Sequence, residues 1–260
     1  MAIPKTYQTE AIVLKKFSCN EADRILTLFT PHHGKVRAVA KGVSRPKSKM
    51  AGHLELLTRS QVMLSKGQNL DIISQSQTLE SYRLLREDLW RLSCALYLAE
   101  LVDQVTEEEQ ENFPLYQLLL QALNEMTNAA NIETLLRYFE LSLMEHLGYK
   151  PELQECPQCH TALKPEDNFL SPQAGGVLCP SCSVQDESCL PVSLNSFKVL
   201  RFWQRGGMKE ALKVKLSPEL QAELERLLKT YLRYQVERDM KSYRWLRRLK
   251  KEGMAKGGIS

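Results

Sequence analysis

Four cysteines hold the clearest chemistry in this chain. Cys156-Pro157-Gln158-Cys159 is followed, nineteen residues later, by Cys179-Pro180-Ser181-Cys182. Two intervening residues let a tight turn aim both thiolates at one point, and a second such turn completes a tetrahedron around zinc. Four thiolates leave no position for water or substrate, so this zinc would be structural. The connecting loop holds Pro165, Pro172, Gly175 and Gly176, which predicts a loop-rich knuckle without a core of its own. Three other chemistries use such cysteines. Two disulfides need an oxidising compartment, and no apolar signal segment follows Met1. A thioredoxin-like redox pair needs a βαβ context that is absent here. Cys156-Pro157-Gln158-Cys159-His160 also matches the haem-attachment spacing, but that leaves Cys179 and Cys182 unexplained. His160 is then a polar turn residue. Of the remaining Cys19, Cys94 and Cys189, Cys94 sits in an apolar helical run and reads as core.

The second constellation is a basic run. Lys35, Arg37, Lys41, Arg45, Lys47 and Lys49 fall within residues 35–49, a stretch with no acid. Lys35 and Arg37 share one strand face, because side chains alternate with period two. Residues 42–49 then form a flexible basic loop beside it. Cations along a groove neutralise phosphates and release counterions, which favours nucleic-acid binding. A solvated loop is the plainer reading of the same charges. Residues 1–80 offer few stacking aromatics, only Tyr7, Phe17 and Phe29, and two of these read as core. Binding should therefore rest on backbone charge and tolerate single and double strands alike.

Other chemistry finds no residues to carry it. There is no G-x-x-x-x-G-K-[ST] phosphate loop, no G-x-S-x-G elbow and no H-E-x-x-H. His32, His33, His53, His146 and His160 have no carboxylate at a spacing that demands acid–base work. The sequence points away from an enzyme.

The elements that position these residues change character near residue 79. Residues 10–15, 24–30, 35–40, 60–64 and 70–73 read as five short strands, with Pro31-His32-His33-Gly34 as a turn. Five strands in about eighty residues fit a five-stranded OB-fold barrel, with an SH3-like barrel as the alternative. From Leu85 the apolar period is helical, through a long segment ending near Thr106. An acidic, solvated connector follows at residues 107–111. Further helices are expected over 115–126, 132–147 and 193–204, and Ser217-Pro218 caps a final one whose apolar face is Leu220, Leu224, Leu227, Tyr231 and Tyr234. The expected fold class is α+β: an OB-fold domain over 1–79, a helical domain over 80–250 with an inserted four-cysteine zinc knuckle over 151–190, and a tail over 251–260.

Charge supports this division of labour. The net charge is only +4, but residues 1–80 hold twelve Lys/Arg against six Asp/Glu, residues 81–225 twelve against twenty-two, and residues 226–260 eleven against three. Basic ends around an acidic middle suggest polyanion contact at the ends, although a basic last helix often serves only solubility. No stretch approaches eighteen consecutive apolar residues, so no membrane span is expected. Cysteines without an export signal point to a reducing cytoplasm.

With those residues in place, a resemblance emerges. Ala11-Ile12-Val13-Leu14-Lys15, residues 21–30, Gly34-Lys35 and Ala40-Lys41-Gly42 resemble the N-terminal signature of the RecO family of bacterial DNA repair proteins. It continues at Leu147-Gly148-Tyr149, at the cysteine pairs and at residues 241–246. The resemblance implies an OB-fold, a helical domain and a zinc knuckle. It also implies a nucleoid-associated recombination mediator that binds DNA, anneals complementary strands, joins RecR and helps load RecA onto strands coated by single-strand binding protein. Some family members lack the four cysteines, which suits a structural metal. The acidic, apolar-ended tail of single-strand binding protein would need a cation beside an apolar groove, and Arg226, Arg233 and Lys241 are the candidates. The competing class is a zinc-containing transcriptional or RNA regulator in which the knuckle reads nucleic acid. Against it, residues 160–178 hold one base, Lys164, and two acids, Glu166 and Asp167.

Overall fold

A computed structural model describes residues 6–236 and 240–252. The N-terminal strands are β1 (Thr6–Ser18), β2 (Arg24–Thr30), β3 (Gly34–Ala40), β4 (Arg59–Ser65) and β5 (Asp71–Glu80). They pair in the order β1-β2-β3-β5-β4, and β4 returns to β1, so the sheet closes. The seam is short: β3 meets β5 in parallel through Ala38↔Asp71 and Val39↔Ile72. This is the expected five-stranded OB-type architecture, with β1 and β5 longer than their apolar runs because their ends are polar.

Period-two patterning explains the lumen. Ala11, Val13, Leu26, Leu28, Val36, Ala38, Val62, Leu64 and Ile73 fill it. Ile12 and Leu14, on the opposite face of β1, are buried too. That face is covered: the helix α3 (Phe113–Asn128) sets Tyr116 against Phe29 with ring centroids 5.9 Å apart. A strand covered on both faces reads as a continuous apolar run.

The helical segment expected from Leu85 to Thr106 is two helices, α1 (Arg83–Glu87) and α2 (Leu89–Val105). Asp88 is extended between them, and its side chain accepts a hydrogen bond from the Arg91 N–H, capping α2. Cys94 is fully buried within α2, as expected.

Two compact units result: residues 1–127 with 240–260, and residues 128–239. Strand gives way to helix between Glu80, the end of β5, and Arg83, the start of α1, while compactness groups α1–α3 with the barrel.

The second unit contains α4 (Ile132–His146), β6 (Asn168–Ser171), β7 (Gly176–Leu178), the short α5 (Pro180–Ser183), β8 (Leu190–Val192), α6 (Leu194–Arg205), α7 (Met208–Ala211) and α8 (Pro218–Val236). The last helix, α9 (Lys241–Lys251), belongs to the first unit. In the second unit Glu140 of α4 accepts from Arg137 at 2.8 Å and from Lys229 of α8 at 2.9 Å, so a buried carboxylate is held by two cations.

Four expectations are corrected here. The cysteine knuckle does have a core: the sheet β7-β6-β8 buries Leu170, Val177, Leu178 and Val192. The helix from Ser217-Pro218 is not the last one, since α8 ends at Val236 and α9 is separate. Its buried face is Leu224, Leu227, Leu228, Tyr231 and Leu232, while Tyr234 is exposed. The tail expected over 251–260 begins inside α9, and residues 253–260 lie outside the described residues.

Candidate nucleic-acid interface and metal centre

Local backbone explains how the cysteines converge. The His160 N–H donates to the Cys156 carbonyl at 2.8 Å, with His160 at φ +56°, which turns the chain back after the first pair. In the second pair the Cys182 N–H donates to the Cys179 carbonyl at 3.1 Å, and Pro180 opens the short α5. The four sulfurs lie within 4.8 Å of one another, and Cys159 and Cys179 are 3.8 Å apart. A tetrahedron with metal–sulfur bonds of about 2.3 Å has edges near this length, so the four residues fit a metal ion. Hydrogen bonding from Thr161 lowers the Cys159 thiol to about 6, whereas its neighbour Cys179, through a hydrogen bond, pushes Cys182 up to about 12. Crowded thiols share protons in this way until a cation stabilises the thiolates together. His160 is an exposed turn residue, and Cys189 donates weakly to the Ser183 carbonyl, outside the cluster.

The six cations of the basic run divide into two groups. Lys35 and Arg37 do share the outer face of β3, but an acidic segment lies along it. The Lys35 ammonium donates to the Asp103 carbonyl at 2.7 Å and lies 3.5 Å from its carboxylate, with 12% of the side chain exposed. Arg37 stands 3.7 Å from Glu108. The connector at 107–111 is therefore not simply solvated. Glu109 donates its N–H to the Lys35 carbonyl and pairs with Lys66, and Glu111 meets His32. An intramolecular carboxylate already answers each of the two strand cations.

Gly34 makes this approach feasible. It sits at φ +59°, and a Cβ there would meet the Gln110 carbonyl oxygen at 1.9 Å. Gly34→Ala should therefore cost roughly 2 kcal/mol, from left-handed strain plus displacement of the connector. Urea unfolding checks this; an unchanged midpoint would mean the connector does not pack here.

Lys41, Arg45, Lys47 and Lys49 are exposed. Their loop is built rather than free. The Gly42 N–H donates to Asp23 at 2.6 Å, the Ser44 N–H to the Ala22 carbonyl at 2.9 Å, and the Ser48 N–H to the Arg45 carbonyl at 2.9 Å. Val43 is buried in the barrel core. The Gly42 N–H holds the Asp23 carboxyl below its ordinary range, with Arg45 and Lys41 adding to the effect. Four cations are thus displayed on a fixed backbone.

Beside Lys49 lies a groove of 440 Å³, lined by Gln8, Gln61, Gln75 and Gln77 of β1, β4 and β5, with Met63 and His53. Sequence reasoning missed it. The available signal was the uncharged polar run Ser74-Gln75-Ser76-Gln77 on β5, with Gln61 on β4. Of the three aromatics noted for the barrel, Phe29 is core, Tyr7 is tied to Asp71, and Phe17 is 55% exposed.

The three candidate partner cations fall in both units. Arg226 and Arg233 lie on α8 in the second unit, and Lys241 opens α9 in the first. Arg226 donates to the Pro191 carbonyl at 2.9 Å. Arg233 lines a hollow of 610 Å³ with Tyr149, Thr230, Tyr234 and Gln235. Among the described residues, no helix is long and apolar enough to cross a membrane.

Comparison with known proteins bears on both halves of the chain. Residues 1–82 match the family model "Recombination protein O N terminal", and residues 86–244 match "Recombination protein O C terminal". The DNA repair protein RecO of Dehalococcoides mccartyi (strain CBDB1) is 41% identical over 246 residues, covering 95% of this chain and 97% of its own. The RecO protein of Roseiflexus sp. (strain RS-1) is 43% identical over 242 residues, with 93% and 85% covered. That of Symbiobacterium thermophilum is 37% identical over 243 residues, with 92% and 96% covered.

Proposed function

The chain belongs to the RecO family of DNA repair proteins, and on that premise we propose that it is a recombination mediator that binds DNA through phosphate contacts and anneals complementary strands. The observation that carries this reading is the fixed loop bearing Lys41, Arg45, Lys47 and Lys49 on an OB-type barrel. Cations spaced along a rigid backbone track a phosphodiester chain without reading bases, so two unlike strands are held equally well. Lys35, answered by Asp103 of α2, and Arg37, answered by Glu108 of the connector, are assigned to holding those segments on β3. Annealing requires no nucleotide hydrolysis, in line with the lack of a phosphate loop in the sequence.

Within the family's role, the protein would act with RecR to help load RecA onto strands coated by single-strand binding protein. The hollow at Tyr149, Arg233 and Tyr234 supports a site for that protein's tail: a guanidinium to meet the terminal carboxylate, and two exposed rings to receive an apolar side chain. The four cysteines would hold a structural zinc, which leaves no ligand position open to chemistry. The loop between the pairs carries one base against two acids, so a regulator reading nucleic acid through the knuckle has no support.

Mixing two complementary labelled oligonucleotides tests the proposal. The protein should accelerate duplex formation without ATP, and ATP should not alter the rate. Duplex formation at the protein-free rate would refute it.

A further inference from the structure

The helix α9 holds six cations, Lys241, Arg244, Arg247, Arg248, Lys250 and Lys251, and no acid. All six are exposed. One face of the helix is fixed to α2: Leu246 and Leu249 are buried, and Tyr243 meets the Tyr97 ring at 6.0 Å. Its first turn is capped from outside. Glu100 of α2 accepts from the Lys241 N–H at 3.1 Å, from the Ser242 N–H at 2.8 Å and from the Ser242 hydroxyl. A carboxylate at this end also suits the helix dipole. The outward face is therefore presented by a docked helix.

Trp245 stands in that face. Lys241, Trp245 and Arg248 follow i, i+4, i+7 spacing, and Arg244, Arg247 and Lys251 form the adjoining stripe. The indole N–H donates to Ser93 at 3.3 Å, which fixes the ring, yet 46% of the residue remains exposed. A basic helix kept only for solubility gains nothing from an exposed tryptophan. A phosphate-binding surface gains a platform on which a base stacks between cations.

We propose that α9 is a second single-stranded nucleic-acid site, separate from the barrel loop, with Trp245 stacking a base and Arg244, Arg247 and Arg248 contacting phosphates. It rests on the reading that the protein binds nucleic acid, and it adds a place for a second strand. Two strands on one chain is what annealing needs.

The experiment uses the full chain and a short oligo-dT at low salt, read by tryptophan fluorescence and by stoichiometry above the dissociation constant. Trp90 is half-buried and Trp203 is buried, so Trp245 is the exposed reporter. The wild type should take up two oligomers with quenching. Trp245→Phe should still bind but lose most of the quenching. Trp245→Ala should weaken the second site by about 5- to 150-fold, the range for one base stacked on an aromatic ring. Arg244→Glu with Arg247→Glu and Arg248→Glu should leave one oligomer per chain. The charge-reversed loop variant, Lys41→Glu with Arg45→Glu, Lys47→Glu and Lys49→Glu, should keep the quenching. The proposal is overturned if the triple helix variant binds like wild type, or if Trp245→Phe keeps full quenching. It is overturned too if wild type shows no quenching by oligo-dT while anionic phosphatidylserine vesicles give it, since α9 would then face a membrane. A loop variant that still takes up two oligomers, while the triple helix variant takes up one, would count against the loop alone, so the two readings fail separately.

Discussion

Exchanging Cys179 and Cys182 together for serine is expected to release the bound metal and to lower the thermal midpoint by about 10 °C or more. Two of four ligands vanish, and structural zinc sites of this kind contribute apparent binding free energies of about 10–16 kcal/mol that are coupled to folding. Even a few kcal/mol lost from a unit spanning residues 128–239 moves its midpoint by that much. The sheet β7-β6-β8 lies between and beside the two turns and should loosen with them. A strong chelator should reproduce the loss in the wild type. DNA affinity should change less than about twofold, because the cation loop belongs to the other compact unit. Elemental analysis of the purified wild type decides the matter early: metal-free protein, or a serine variant as stable as wild type, removes the structural role.

Reversing the four exposed loop cations to glutamate should have the largest effect on binding. Each phosphate neutralised on a single strand contributes a salt exponent of about 0.7, so four contacts are worth on the order of 600-fold in affinity between 1 M and 0.1 M salt. The variant should lose a factor of about that size on the loop site at 0.1 M salt, equally for oligo-dT and mixed sequences. The stability of the barrel should hold, because all four side chains are exposed. Reversing Lys35 and Arg37 instead should disturb the connector more than the DNA. If that pair costs as much affinity as the loop four, the phosphate track runs along β3 and the division drawn between the two groups is wrong.

How much of this was legible in the sequence follows from the range of the interactions. The five strands were readable because alternation on β3 and β4 is local, and so was the convergence of the four cysteines, whose turns span four residues each. The split between α1 and α2 was missed because Asp88 resembles any polar residue of an amphipathic helix until its cap is seen. The acidic connector was misjudged for a different reason. Residues 107–111 look solvated by composition, but their partners Lys35, Lys66 and His32 are more than forty residues away. The same long-range pairing gives Lys35 and Arg37 carboxylate partners, while Lys41, Arg45, Lys47 and Lys49 stand exposed on the loop. The docking of α9 on α2 through Glu100 and Ser242 joins residues 142 apart, and no periodicity announces it.

The salt dependence of oligo-dT binding at the barrel loop tests the central claim most directly. With the loop four alone engaged, log affinity should fall linearly with log salt at a slope of about −3; with Lys35 and Arg37 added, it would approach about −4. To isolate the loop, the titration is run on the protein carrying the three arginine reversals on α9. The expected result is a slope near −3, collapsing toward zero when Lys41, Arg45, Lys47 and Lys49 become glutamate. An affinity of that protein independent of salt, or a slope unmoved by those four substitutions, would contradict phosphate recognition by the barrel loop.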